Sequence, residues 1–231
     1  MKLPGGFTAS IRQFRWQAAR GTFSFNQYLI VDDAPLLFHT GPRKMFPLVR
    51  DAVASIIPVE SLRHIAFSHV EADECGSLNE WLDAAPHAIP LCGRIAAMVS
   101  INDLADRAPR AVAHDEVISL GKHTLRWFDT PHLPHAWDCG FLMEENTRPL
   151  LCGDLFTQPG SGQPPVTDSD ILGPSEAFRH AMDYFSYTRN ARRMMERLAS
   201  TEPATLACMH GSAWQGDGAT LLRALADSLE L

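Results

Sequence analysis

Residues 63–67 (RHIAF) are β-like, and they run without a break into Ser68-His69-Val70-Glu71-Ala72-Asp73-Glu74. Imidazole and carboxylates alternate at i, i+2 and i+4. On a loop leaving a strand, that spacing lets His69, Glu71 and Asp73 converge while Val70 and Ala72 turn away. A lone histidine is most often a satisfied core residue. Four metal-capable side chains within six residues are hard to explain as packing, because buried charges are costly unless paired.

Three further segments repeat the placement. Thr130-Pro131-His132-Leu133-Pro134-His135-Ala136-Trp137-Asp138 offers two histidines on a loop stiffened by two prolines. One is expected to be a ligand, the other to sit behind it or at the mouth. In Leu150-Leu151-Cys152-Gly153-Asp154, an aspartate after an apolar strand and a glycine can bridge two metals, one oxygen to each. Leu206-Ala207-Cys208-Met209-His210-Gly211 ends another strand in a histidine. Strand ends are rigid and the loops beyond them carry polar groups, which is where α/β proteins build sites. Singly, Gly-Asp and His-Gly are common by chance; the four segments together form a specific pattern.

Strand-like and helix-like segments alternate along the chain. Strands are expected over 22–31, 34–39, 63–67, 90–92, 139–144, 149–153 and 204–208, with a hairpin over 116–128 about Gly121. Helices are expected over 44–57, 77–84, 93–104, 175–199 and 217–231. No internal repeat stands out. The loop 157–174 is the one candidate linker, and the stretch beyond it is too short for an independent enzyme domain. The expectation is one domain over 1–231, of α/β (α+β) class: two β-sheets back to back with helices on both outer faces.

Composition narrows the function. The chain has 231 residues, 45% of them apolar, enough for a sizeable core. A net charge of −7 without a long single-sign run argues against a nucleic-acid backbone as main partner. The N-terminus lacks a signal peptide's apolar stretch, and no run approaches the ~18 apolar residues of a membrane helix. A cytoplasmic protein that engages no membrane is the expectation. The 5 cysteines, Cys75, Cys92, Cys139, Cys152 and Cys208, are odd in number and contain no CxxC, so they read as small buried residues.

The segment HVEADECGSL resembles the HxExDHxGSL segment of flavodiiron proteins, a branch of the metallo-β-lactamase superfamily. The likeness continues in order across nearly the whole chain: a histidine after Thr-Pro, an aspartate after a strand, then His210-Gly211-Ser212-Ala213-Trp214, with Asn26-Gln27-Tyr28-Leu29-Ile30 resembling the opening strand. The resemblance implies a four-layer αββα sandwich and a di-iron site. It implies that His69, Glu71 and His135 hold one metal and that Asp73 and His210 hold the other, with Asp154 bridging. His135 is preferred to His132 because the family's ligand histidine is followed three residues later by an acid, as His135 is by Asp138. Asp154, His132 and Glu74 are expected to take part in the chemistry.

Three departures matter. Glu74 stands where the family has histidine. The Thr-Pro loop carries one extra residue. A flavodoxin-like domain has no room in 231 residues, so no FMN is expected on this chain and electrons must come from a separate donor protein. A homodimer is implied by the resemblance.

Hydrolases of the superfamily present H-x-H-x-D-H, a nitrogen-rich, zinc-friendly site. Here Glu71 takes the second histidine's place. Glu71, Asp73 and Asp154 are hard oxygen donors, which shifts preference toward iron, or manganese, over zinc. The leading expectation is an iron pair that binds dioxygen. A metal-dependent hydrolase of an ester, thioester or phosphodiester is the alternative, and an oxygen sensor acting through a partner is the third reading. Nothing identifies the substrate further. The loop 158–171 reads equally as a lid or a solvated connection. Phe156, Trp137 and Trp214 are expected at the site mouth, and Arg179, Arg189, Arg192, Arg193 and Arg197 on a solvated helix face.

Overall fold

The computed structural model describes residues 10–17, 23–160 and 162–229. Residues 1–9, Thr22 of the expected first strand, and Glu230 and Leu231 of the expected last helix lie outside the described residues.

Six strands form one sheet in chain order: β1 (Ile11–Gln17), β2 (Ser24–Ile30), β3 (Leu36–Phe38), β4 (His64–Ala66), β5 (Ile89–Gly93) and β6 (Arg110–Val112). Seven strands form the other. They are β7 (Val117–Ser119), β8 (Thr124–Asp129), β9 (Gly140–Glu144), β10 (Pro149–Leu151), β11 (Val166–Thr167), β12 (Thr205–Ala207) and β13 (Ala213–Gln215), in the order β11-β13-β12-β10-β9-β8-β7.

Alternation of side chains along these strands builds the layers. Tyr28, Ile30, Leu36, Phe38 and Ala66 of the first sheet meet Trp127, Leu142, Leu151 and Ala207 of the second in a core between the sheets. Their neighbours Leu29, Leu37 and Ile65 face outward onto Val49, Val53, Trp81 and Leu82 of the helices Phe46–Ala54 and Leu78–Ala84. Leu150 and Leu206 face the opposite way, onto Met195 and Leu198 of helix Ala191–Ala199 and Leu222 and Leu225 of helix Gly218–Ser228. Both faces of each sheet are covered, so the inner strands read as unbroken apolar runs. The result is the αββα sandwich expected from the sequence. Among the described residues no helix is long and apolar enough to cross a membrane.

The structure differs from the expected elements at β1, β6, β11 and β13, at the one-turn helix Ala72–Cys75 where a loop is expected, and in the expected helix 175–199. β1 was not anticipated; it pairs antiparallel with β2 from Ile11 opposite Ile30 to Gln17 opposite Ser24. Its arginines and glutamines mask the period-two signal. The short edge strands β11 and β13 were also missed, being two and three residues long. The expected helix 175–199 is two helices, Leu172–Met182 and Ala191–Ala199. Asp183 ends the first in the left-handed region at φ 50°, a conformation aspartate tolerates better than most residues. Arg179 is not solvated: it is 2% exposed and pairs with Glu176.

Strand register positions the chemistry. β10 and β12 are parallel neighbours, with Leu151 opposite Ala207. Asp154 and His210 each lie three residues beyond that pair, so they emerge at one level. His69 leaves the carboxyl end of β4 in the facing sheet, and His135 lies on the loop between β8 and β9.

Candidate metal centre

One carboxylate oxygen and two imidazole nitrogens meet first. Glu71 Oε2 lies 2.8 Å from His69 Nε2 and 3.2 Å from His135 Nε2. The two Nε2 atoms are 2.9 Å apart. Asp154 Oδ2 closes the group at 3.8 Å from His69 and 3.4 Å from His135. Ligand-capable atoms of these four residues all lie within 4.8 Å of one another.

A second group adjoins it through the same aspartate. His210 Nε2 lies 3.4 Å from Asp154 Oδ1 and 3.2 Å from Asp73 Oδ2. Asp154 thus turns one oxygen to each group. Its Oδ1 is buried and makes no hydrogen bond.

The ring orientations are set from behind. His135 Nδ1 donates to the Tyr184 carbonyl at 3.2 Å, and His210 Nδ1 to the Ser24 carbonyl at 2.8 Å. A carbonyl only accepts, so both rings carry a proton on Nδ1 and turn Nε2 inward, as the atom free to take a second proton or a cation.

The residues fit a cation. Burial alone would lower His69 and His210, yet the surrounding carboxylates raise both, His210 to about 9. The His135 and His69 rings, with their Nε2 atoms within 3.2 Å of its Oε2, hold Glu71 below the usual carboxylate range. The cluster stabilises positive charge at its centre, and two nitrogens 2.9 Å apart share at most one proton between them. Three carboxylates and three imidazoles are the donor types of a hard or borderline transition metal.

Glu74 is placed differently. It is fully buried, and its Oε2 accepts from Ser68 N at 2.9 Å, from His69 N at 3.0 Å and from Ser68 Oγ. Burial raises its carboxyl. Behind it His39 Nε2 stands 3.4 Å away, and burial lowers that histidine to about 3. Asp138 accepts from Val70 N at 2.9 Å and so ties the His135 loop to the His69 loop. The structure does not bring His132 into either group: it is exposed, at φ 65°, and lines a separate small cavity with Leu133, Phe185 and Tyr187.

The two groups line the floor of a cavity of about 410 Å³ whose walls include Phe23, Phe25, Phe178 and Tyr184. These aromatics are not the ones expected at the mouth from the sequence. Phe156 is wholly buried in the core, Trp137 is 52% exposed, and Trp214 packs on the core with its Nε1 bonded to the Ser169 carbonyl. Tyr184 reaches the cavity because the helix ends at Met182. Of residues 157–171, only Thr157 lines the cavity among the described residues; Val166 and Thr167 instead pair with β13. All five cysteines are free thiols, four of them buried.

Residues 23–211 match the family model described as ODP family beta lactamase. The rubredoxin-oxygen oxidoreductase of Megalodesulfovibrio gigas is 27% identical over 139 residues, which cover 58% of this chain and 34% of that protein. A putative diflavin flavoprotein A 1 of Thermosynechococcus vestitus is 24% identical over 217 residues, covering 88% of this chain and 38% of its own. The chain therefore spans about a third of the length of these curated relatives. Among solved structures, the flavodiiron protein of Giardia intestinalis is similar with a TM-score of 0.81 at 18% identity, covering 97% of this chain and 58% of that one. A fragment of putative diflavin flavoprotein A 5 from Nostoc is similar with a TM-score of 0.83 at 16% identity, covering 97% and 93%.

Proposed function

We infer the function from one premise: the chain belongs to the ODP family of beta lactamases. We propose that it is a dinuclear metal protein, with iron the favoured metal, that reacts with dioxygen using electrons from a separate donor. The observation that carries the reading is Glu71 Oε2 lying within 3.2 Å of both His69 and His135. It puts a hard oxygen donor where the superfamily's hydrolases use a third nitrogen.

In this reading His69, Glu71 and His135 would hold one ion, Asp73 and His210 would hold the other, and Asp154 would offer an oxygen to each. When bound, a reduced iron pair would supply electrons to dioxygen, which zinc cannot do. The chain's own residues do the rest. The Tyr184 and Ser24 carbonyls keep His135 and His210 in the tautomer that leaves Nε2 bare. Phe23, Phe25 and Phe178 exclude water above the carboxylates, which strengthens every charge interaction beneath them. The name of the M. gigas relative couples rubredoxin to oxygen; a small redox protein of that kind is the donor we propose, and FMN on these residues is not part of the proposal.

The test is oxygen uptake by chemically reduced, iron-loaded protein, followed with an electrode alongside hydrolysis of ester, thioester and β-lactam substrates. Uptake that depends on added reductant, with little hydrolysis, supports the proposal. Glu71's charge lowers the Lewis acidity of its ion and so disfavours the hydrolytic route. Protein inert to oxygen that turns over a thioester would make it a hydrolase.

A further inference from the structure

Glu74 is the buried acid that the dioxygen reading leaves without a task. Its Oε2 collects three donors, the Ser68 and His69 amides and the Ser68 hydroxyl. Two amides and a hydroxyl converging on Oε2 make that oxygen an acceptor and favour the ionised carboxylate that burial opposes. Ser68 has a single hydroxyl proton, and Glu74 receives it. The same Ser68 Oγ lies 3.0 Å from His69 Nδ1, so toward the ring it can only accept, and Nδ1 must carry the proton. Close packing holds the hydroxyl there: a methyl group at Gly153 would lie 2.5 Å from Ser68 Oγ.

We propose that Glu74, Ser68 and His69 form a carboxylate–hydroxyl–imidazole relay. Glu74 is a positioning residue: it fixes His69 with its proton on Nδ1 and its bare Nε2 toward Glu71, His135 and Asp154. The other two histidines of the centre are oriented by neutral backbone carbonyls. His69 alone among the three is backed by a negative charge, which strengthens it as a donor to the first ion. The proposal rests on the reading of these residues as a metal centre.

Zinc(II) alone is the probe, because it is redox-silent and separates this proposal from the dioxygen chemistry. Affinity is measured by chelator competition in a His210→Ala background, so that the first group is read by itself. Ser68→Ala and Glu74→Gln should each weaken zinc binding ~10–100-fold, the usual effect of losing an outer partner of a ligand histidine. In zinc-loaded protein with all ligands intact, nitrogen-15 NMR should show a protected His69 Nδ1 proton, and Ser68→Ala should abolish its protection from exchange. That signal reports the relay whether or not the His210→Ala background folds well. Undiminished zinc affinity in Ser68→Ala, or a spectrum with the His69 proton on Nε2, would overturn the relay. Failure of iron-loaded protein to consume oxygen would count against the proposed function and leave the zinc result standing.

Discussion

His69 Nε2 and His135 Nε2 lie 2.9 Å apart, with Glu71 Oε2 in reach of both. Ring nitrogens that close cannot both carry protons, and a cation between them resolves the conflict.

Metal content is the first prediction. Protein purified without added metal should carry about two ions per chain, with iron the larger share by elemental analysis. Removing them with a chelator should lower Tm by about 10 °C, since a ligand at ~1,000 times its Kd adds about 4 kcal/mol and each kcal/mol moves a chain this size ~2–4 °C. One zinc per chain after iron-supplemented expression would contradict it.

Asp154 tests the sharing. Its Oδ2 faces His69 and His135, and its Oδ1 faces His210. Asp154→Ala removes a donor from both positions, whereas Asp73→Ala touches only the His210 side. Metal content should drop further in Asp154→Ala, at a cost of at least the ~10–100-fold in affinity seen when only an outer partner is lost. Equal partial losses in the two variants would mean that Asp154 serves one ion.

Proton release is expected from His210. Burial pulls its pKa down, but Asp73 and Asp154 outweigh that and raise it to about 9. An unfolded histidine titrates near about 6.5. The proton therefore stabilises the metal-free fold fully below about 6.5, and that contribution is lost as pH rises through about 9. Metal needs the bare nitrogen, so binding at neutral pH must expel this proton. Affinity should rise ~10-fold per pH unit for each proton displaced, then level off above His210's pKa. Calorimetry in two buffers of different ionisation enthalpy checks it; no proton release at pH 7 would refute it.

Gly153 carries a stability prediction. It sits at φ 49°, and an added Cβ would meet Ser68 Oγ at 2.5 Å and Ser68 Cβ at 2.9 Å. Gly153→Ala should cost roughly 1–3 kcal/mol, or about 3–10 °C in Tm, because neither side of the contact has room to give. It should also weaken metal binding, as it displaces Asp154 and Ser68 together. Unchanged thermal unfolding of the metal-free variant would show that the backbone relaxes there.

By itself the sequence determined the layers and the strand ends. The β-rich runs 22–31 and 34–39 read as strands of two stacked sheets, and the structure then sends Leu29 and Leu37 to one core and Tyr28 and Phe38 to another. Polar residues placed directly after such runs, at His69, Asp154 and His210, pointed to the place where the two groups assemble. Tertiary structure decided what depends on partners distant in the chain or on backbone angles. Glu74 is as metal-capable as Glu71 by residue type, and only the inward amides of Ser68 and His69 assign its oxygen to the scaffold. His132 and His135 share one loop, and the fold of that loop exposes the first and turns the second onto Glu71. The helix break at Asp183 leaves no mark in hydrophobic spacing, because a left-handed residue costs little for aspartate, yet it delivers Tyr184 to the cavity. Spacing along the chain reports which face a residue shares; it does not report which donor will meet it from the other sheet.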